Sequence, residues 1–585
     1  MEDQSTPVEV EESKKGKHPK ALYVLFMTEM WERFAYYLMV GILLLYLIDG
    51  QTGKGMTAQM GADVVGSFIA MVYLTPFIGG LLADRYLGYI RSIFLGGSLM
   101  ALGYFGLALP GNTALYVSLL LIIVGNGFFK PNISTILGNI YNREDLKKLK
   151  DNAYNIFYMG INIGALVCNF VAAYLRNHYG WGYAFAAAGV GLVIGLIWLA
   201  SNLKKVREGD IKKKPNPEDM SIGKILGYVF VPAIIAAIIG WMLPTQIFGS
   251  TIMGSKSNDA FIFACLPIIA FYVSLYVRAK GPDKRGIGAL LFIFGISIIF
   301  WTIYNQNSTG LTLWAQRHTD RSISTPVLEK VAGGLGFMQT VSDTPRLVNK
   351  VDPFFVDVTD NSPVVAKIKP DLDSTADGNL VDARTKIIQV EGPDPYFNNI
   401  PKDQWPKGSM KVANTELFQS INPLFIVILT PLLVLFFGFL RSIRSEPTTA
   451  SKFGLALFIS GCSSLVMVFA ILSVDSVYLE KTSPYWLWGT YFVFTVSELF
   501  LSPIGLSLVS KLAPPRLTSL LMGGWFLATA IGGKIAGVMT SFWDSFTDKK
   551  VFFLILVVAA FIGGIVIFSR LKFLNNVVKE KTGSA

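Results

Sequence analysis

The chain is expected to fold as an all-α polytopic membrane protein with fourteen transmembrane helices, and three observations carry that expectation. Hydrophobic residues make up 52% of its 585 positions and charged residues only 16%, a balance unlike that of soluble domains. Apolar runs long enough to cross a bilayer, about 20 residues in helical form, recur along most of the chain. Lysine and arginine gather in alternate connecting segments, the asymmetry that orients membrane helices. That asymmetry also accounts for the formal net charge of +11 without nucleic acid as a partner.

The apolar runs predict helices at 21–48, 62–83, 92–110, 113–140, 152–176 and 183–203, which form an N-terminal six-helix bundle spanning 21–203. A basic linker, 204–221, contains Lys204-KVREGDIKKKPNPED and leads to a pair of helices at 222–245 and 260–279, the unit 222–279. A second bundle, 287–573, follows with helices at 287–315, 418–440, 452–473, 485–512, 517–541 and 551–573. Tails at 1–20 and 574–585 flank the whole. No cleavable signal peptide is expected, because the N-terminus is polar through Lys20 and the first apolar run exceeds a signal core. Cys168, Cys265 and Cys462 lie far apart in apolar segments and read as small core residues, with no metal site.

Basic residues precede the first helix (Lys14, Lys15, Lys17, Lys20) and follow the fourth, sixth, eighth and tenth. All fall on one side, which places both termini in the cytoplasm. The hydrophilic segment 319–416 then lies outside the cell as an insertion in the second bundle. Its alternating runs Val364-VAKIKP and Lys386-IIQVEG suggest short strands in a small lobe, while a poorly ordered insertion is the other reading.

Glu29, Glu32 and Arg33 interrupt the first apolar run. Ionised groups inside a membrane helix cost roughly 2.5–3.5 kcal/mol each, so they ordinarily line a polar pathway. Their spacing puts all three on one helical face. Two carboxylates beside one guanidinium cannot both be neutralised locally; one must take a proton or find another cation.

The segment Gly79-GLLADRYLGYIR, with Asp84 and Arg85 between glycines, resembles the gating-loop signature of the major facilitator superfamily. A more specific likeness lies in Thr28-EMWERFAYY, which resembles the E-x-x-E-R-F-x-Y-Y signature of the proton-dependent oligopeptide transporters. The resemblance continues in Gly127-FFKPNIS, Asn155-IFYMGINIGA, Phe300-WTIYNQ, Ile421-NPLF and Ser497-ELFLSPIGLS, so that only 319–416 falls outside it. The inserted helix pair is similar to that of bacterial members, which implies the bacterial plasma (inner) membrane. The fold implied is the major facilitator fold, two six-helix bundles with two added helices.

The resemblance also implies roles. Lys130, just before the helix-opening Pro131, matches a lysine that helps hold the peptide carboxylate, with Arg33 beside it. Glu498 matches the group that faces the peptide amine, and a Lys130–Glu498 pair would join the bundles until proton and ligand displaced it. Glu29, Glu32, Arg33 and Glu498 are the implied proton-coupling residues. Arg33, Tyr36, Tyr37, Tyr73, Lys130, Asn162, Asn422, Glu498, Ser502 and Trp525 are the implied substrate-binding set, helix packing being the other reading of the aromatics. Two departures stand out. An arginine and an acid that many members carry are replaced by Val40 and Asn305, which removes both charges of an outer-gate pair, and Gly66 stands where mammalian members have a histidine.

The implied function is proton-coupled symport of di- and tripeptides by alternating access, driven by the proton gradient and without a cofactor. The partners are peptides, protons and membrane lipid. A transporter of another small solute, such as nitrate or an amino-acid conjugate, or a transporter-like nutrient sensor are the alternatives. An enzyme is not expected: no H-E-x-x-H, no G-x-S-x-G with a usable base and no Walker loop occurs.

Overall fold

The structure, a computed structural model, describes residues 17–211, 222–369, 371–383, 385–514 and 517–582. Most of the expected N-terminal tail and the 212–221 part of the linker lie outside the described residues. In chain order the helices are α1 (Lys20–Ile48), α2 (Ala58–Leu82), α3 (Tyr89–Leu107), α4 (Asn112–Ile140), α5 (Lys150–Tyr179), α6 (Trp181–Ser201) and the short α7 (Leu203–Val206). Next come α8 (Ile222–Ile225), α9 (Val231–Phe248), α10 (Lys256–Arg278), α11 (Gly281–Tyr304), α12 (Gly310–Arg317) and α13 (Pro326–Gly334). The last six are α14 (Ile421–Ser442), α15 (Thr449–Leu472), α16 (Tyr485–Leu512), α17 (Thr518–Ser541), α18 (Lys549–Ser569) and α19 (Leu571–Thr582).

Among the described residues 13 helices are long and apolar enough to cross a membrane, and α16, at 28 residues, has the length for it as well. Helices suit that setting because every mid-span backbone group is bonded within its own segment. The paired helices α9 and α10 pack against each other and leave Ile234, Ile238, Trp241 and Leu266 exposed, as lipid-facing positions require. Close packing elsewhere rests on glycine. A Cβ at Gly66 of α2 would sit 2.7 Å from the Gly537 Cα of α17, so these two helices touch backbone to backbone.

Two segments differ from the reading of the sequence, and a third follows one of its two alternatives. The expected 287–315 helix starts earlier, at Gly281, and breaks after Tyr304 into a tighter turn, Asn305–Ser308, before α12 resumes. The Gln306 side chain stabilises that break: its carbonyl accepts from Gly310 N at 3.3 Å and Thr540 Oγ1 at 3.1 Å. The expected tail from 574 instead continues α19, which buries Leu574, Val577 and Val578 against the bundle. The 319–416 segment is folded. Its described residues hold α13 and seven strands: β1 (Met338–Ser342), β2 (Arg346–Asn349), β3 (Val364–Lys369), β4 (Leu372–Thr375), β5 (Leu380–Asp382), β6 (Ile388–Gly392) and β7 (Ser409–Ala413).

Strands β1 and β7 pair antiparallel, Met338 opposite Ala413, and close the lobe at its base. The other five form one sheet in the order β2-β6-β5-β4-β3. Both runs marked in the sequence are strands there, β3 and β6. A small core of Val341, Tyr396, Phe397 and Val412 sits between the base and the helices.

Candidate functional site

Helix α1 carries the first half of the site. Its uninterrupted apolar run keeps the helix regular from Lys20 to Ile48, so the spacing of its charges becomes a geometric fact. Glu29, Glu32 and Arg33 are all buried. The Arg33 guanidinium grips Glu32 through two nitrogens, with Nε bonded to Oε2 and Nη2 2.6 Å from Oε1. It also reaches Glu29 Oε1 at 3.2 Å. Bidentate pairing of this kind fixes the orientation of both groups. Asn126 of α4 donates to Glu32 from 3.5 Å, whereas Glu29 Oε2 is buried without a hydrogen-bond partner.

The further cation that two carboxylates call for comes from α4. Lys130 lies within electrostatic reach of Glu29, Glu32 and Arg33, so the cluster holds two acids and two bases. Its ammonium sits 4.0 Å from the centre of the Tyr73 ring, a cation–π contact that takes the place of a direct ion pair. Tyr36 stacks on Phe68 and receives the Arg33 guanidinium at 5.1 Å.

The second half is built on α14 and α16. Glu498, 5% exposed, accepts a hydrogen bond from Asn422 Nδ2 at 2.9 Å, and the same amide also donates to Thr495 Oγ1 at 2.9 Å. The Tyr158 hydroxyl of α5 approaches the Glu498 carboxylate, which makes a link from the first bundle. Asn162, one turn further along α5, donates to the Tyr158 carbonyl at 2.9 Å. Lys130 and Glu498 do not pair; each has found other partners. Tyr37 lies between the two groups, within electrostatic reach of Arg33, Glu32 and Glu498, and bonds to Tyr304 of α11.

Tyr158, Tyr304 and Thr495 escaped the reading of the sequence. A signal was present for two of them. Tyr158 precedes Asn162 by four residues and so shares its helical face, and Tyr304 falls in the Phe300-WTIYNQ motif itself. A small cavity beside Asn422 is lined by Tyr304, Asn307, Ser464, Met467, Thr490 and Phe494. Trp525 is placed differently from the others: it is packed among Phe294, Trp301 and Phe453, each about 6.2 Å away ring to ring. Ser502 lies on α16, and its side chain is outside the described residues.

Asp84 and Arg85 occupy a π-helical turn, Ala83–Leu87, at the end of α2. Gly88 ends that turn with φ of 80°, a left-handed conformation that suits glycine. Asp210, from the linker, then caps α3 by accepting from Tyr89 N at 2.7 Å. That turn is thereby tied to the start of the linker.

Direct bonds between the bundles gather on the lobe side of the charged groups. Gln419 donates to the Gly41 carbonyl at 2.9 Å, Asn169 to Ser420 at 3.0 Å, and Lys534 to Asp63 at 2.7 Å. Arg176 and Glu416 add an ion pair at 2.8 Å. These contacts join the two bundles between the charged groups and the lobe.

The chain is similar to known proteins over most of its length. The POT family profile matches residues 90–330 and 407–557. A di-/tripeptide transporter of Lactococcus lactis is 29% identical, over 94% of this chain and 94% of its own. Dipeptide and tripeptide permease A of Escherichia coli is 27% identical, over 91% of this chain and 86% of its own. A crystal structure of a peptide transporter mutant in complex with alafosfalin superposes with a TM-score of 0.71, at 26% identity over 97% of both chains. With two helical bundles, an added helix pair, a buried E-x-x-E-R-F cluster on α1 and a family profile matched over more than half its length, this chain belongs to the POT family of proton-dependent oligopeptide transporters.

Proposed function

We propose that the protein imports di- and tripeptides together with protons, by alternating access of its two bundles, with the peptide held in the chamber between them. One observation carries the reading: a basic pair on one bundle, Lys130 beside Arg33, and an acid on the other, Glu498, lie on either side of Tyr37 without Lys130 and Glu498 pairing. Lys130 and Arg33 suit a peptide carboxylate, and Glu498, held by Asn422, suits the peptide amine. A zwitterion of matching length satisfies both at once, whereas a simple anion leaves Glu498 unanswered. Glu29, Glu32, Arg33 and Glu498 are the proposed proton-handling groups. The unbonded Glu29 Oε2 is the acceptor a proton would meet. Tyr36, Tyr37, Tyr73, Asn162 and Asn422 are the proposed lining, with Ser502 and Trp525 completing the set. Asp84 and Arg85 are the proposed gating turn.

With the basic loops in the cytoplasm, both termini lie inside a bacterial plasma membrane and the lobe lies outside. The inter-bundle contacts on the lobe side support reading this as a state closed to the exterior. The deciding experiment is uptake of dialanine by the protein in liposomes, with and without an inward proton gradient. Accumulation above equilibrium that requires the gradient is expected. Uptake that only equilibrates would leave a facilitator, and no uptake by folded protein would overturn the reading.

A further inference from the structure

The lobe-side contacts between the bundles include a buried charged junction that the substrate chamber does not use. Lys534 on α17 is 2% exposed. Its ammonium donates to Asp63 Oδ1 of α2 at 2.7 Å, to Ser67 Oγ of α2 at 2.6 Å and to Ser257 Oγ of α10 at 3.2 Å. An ammonium has three hydrogens to give, so all are used. Ser257 in turn lies 2.6 and 2.7 Å from the two Asp63 oxygens. Three units of the fold therefore meet at one point: the first bundle, the second bundle and the added helix pair.

Its location gives it meaning. Gly533, next to Lys534, is adjacent to Asn305, with a Cβ there 3.6 Å from Asn305 Nδ2. Asn305 is the position that lacks the acid, and its amide instead bonds back to the Trp301 carbonyl at 2.7 Å. Val40, where the matching base is missing, is buried on α1. The gate region thus has no charges at Val40 and Asn305, yet holds a satisfied ion pair one helix contact away. Just beyond, Gly66 and Gly537 bring α2 and α17 into backbone contact, so the pair sits on the tightest crossing between the bundles.

We propose that Asp63 and Lys534 form the outer-gate latch of this protein, and that Ser257 makes the added helix pair part of it. Opening toward the lobe separates α2 from α17, which strips Lys534 of its anion while it is still surrounded by protein. The latch thereby favours the state closed on this side. The hairpin of α9 and α10 is not a passive appendage here: it supplies a hydroxyl that bonds both charges, and Gln59 of α2 reaches its loop at the Gly254 carbonyl, 3.5 Å away. The assignment of this side as the exterior rests on the proposed topology.

The test reads the gate without a substrate, so its failure is separable from failure of the peptide-transport reading. A cysteine is placed at Val40 in a background free of Cys168, Cys265 and Cys462, in the full-length protein in proteoliposomes, and its labelling by a membrane-impermeant maleimide is timed from each side. Asp63→Asn and Lys534→Met are each expected to raise the lobe-side labelling rate roughly tenfold or more, since each removes one charge of the pair that joins the bundles. The exchanged double variant, Asp63→Lys with Lys534→Asp, is expected to bring the rate back toward the parent value. Ser257→Ala, a mild change on the hairpin, is expected to raise it by a smaller factor. Unchanged labelling in single variants that remain folded by size-exclusion profile overturns the latch. Unchanged labelling in Ser257→Ala alone overturns the part assigned to the hairpin.

Discussion

The Lys130 ammonium rests 4.0 Å from the centre of the Tyr73 ring, while Glu498 gives its carboxylate to Asn422, 2.9 Å away. The cation and the acid that the family resemblance sets opposite each other are thus both parked on neutral partners. A cation–π contact and an amide hydrogen bond hold charged groups in place without quenching them. Each can be exchanged for a ligand's charge at small net cost. A direct buried ion pair would have to be broken first, which leaves two unpaired charges.

Replacing Lys130 with alanine removes the only one of these parked groups that suits a carboxylate from α4. Hydrogen bonds to charged groups contribute about 1.5–3 kcal/mol, or roughly ten- to a hundredfold in affinity. Competition by dialanine for uptake of a labelled peptide should weaken by that factor, and competition by dialanine amide should change far less. Equal effects on both ligands would remove Lys130 from carboxylate recognition.

Glu498→Gln keeps the shape and an acceptor for Asn422 but abolishes titration at this site. Gradient-driven accumulation should be lost, while exchange of labelled for unlabelled peptide across the membrane persists. The comparison is counterflow against uptake in one preparation. Concentrative uptake at the parent level would exclude Glu498 from proton coupling.

What the sequence made legible follows from the range of the interactions involved. The spans are legible because lipid demands apolar side chains all round a helix, and hydropathy registers that directly. The Glu29, Glu32 and Arg33 cluster is legible because its geometry is set within one turn of α1. The partners of Glu498 are a different matter. Asn422 is 76 residues away and the Tyr158 contact crosses from the other bundle, so neither follows from spacing. Trp525 was grouped with the site by resemblance, yet it is packed against Phe294, Trp301 and Phe453. Helix α19 extends into the stretch that reads as a flanking tail, although Leu574, Val577 and Val578 already show helical spacing. The lobe was half legible: two of its strands alternate visibly, but its closure by β1 and β7 joins residues 67 to 75 positions apart, from Ser342–Ser409 to Met338–Ala413.

That closure sets a limit on what can be cut from the lobe. Its base is tied to the helices through Arg176–Glu416, through Asn177 to Asn414 at 2.8 Å, and through the Tyr396 and Phe397 core. Removing all of 319–416 therefore exposes buried polar groups and should fail to fold. The distal strands are expendable. Asp360 N bonds the Lys386 carbonyl at 2.9 Å, so Asn361–Thr385 can be replaced by an Asn-Gly turn across that rung. Uptake by the shortened protein should stay within about twofold of the parent, because β3, β4 and β5 belong to the lobe sheet and carry none of the candidate site residues. Loss of uptake in a variant with an unchanged unfolding midpoint would give those strands a part in transport.

The junction between lobe and helices should also impose a pH dependence on stability. Lys481, in the loop before α16, donates to the Arg317 carbonyl at 3.1 Å and to Asn399 Oδ1 at 2.8 Å. Its ammonium lies 4.2 Å from the centre of the Tyr396 ring, which Arg321 also approaches at 5.1 Å. Burial, reinforced by the Arg321 charge, pushes the Lys481 ammonium down to about 7. In the unfolded chain a lysine titrates near 10.4, so from about pH 7 to 10 the unfolded state holds a proton that the folded state lacks. Stability contributed by this group therefore rises with pH across that window, and its penalty is fully present below it. Thermal unfolding midpoints measured in detergent at about pH 6, 7.5 and 9 should climb for the parent and climb less for Lys481→Met, which has no charge to lose. Curves that rise in parallel would show that Lys481 is not the group responsible.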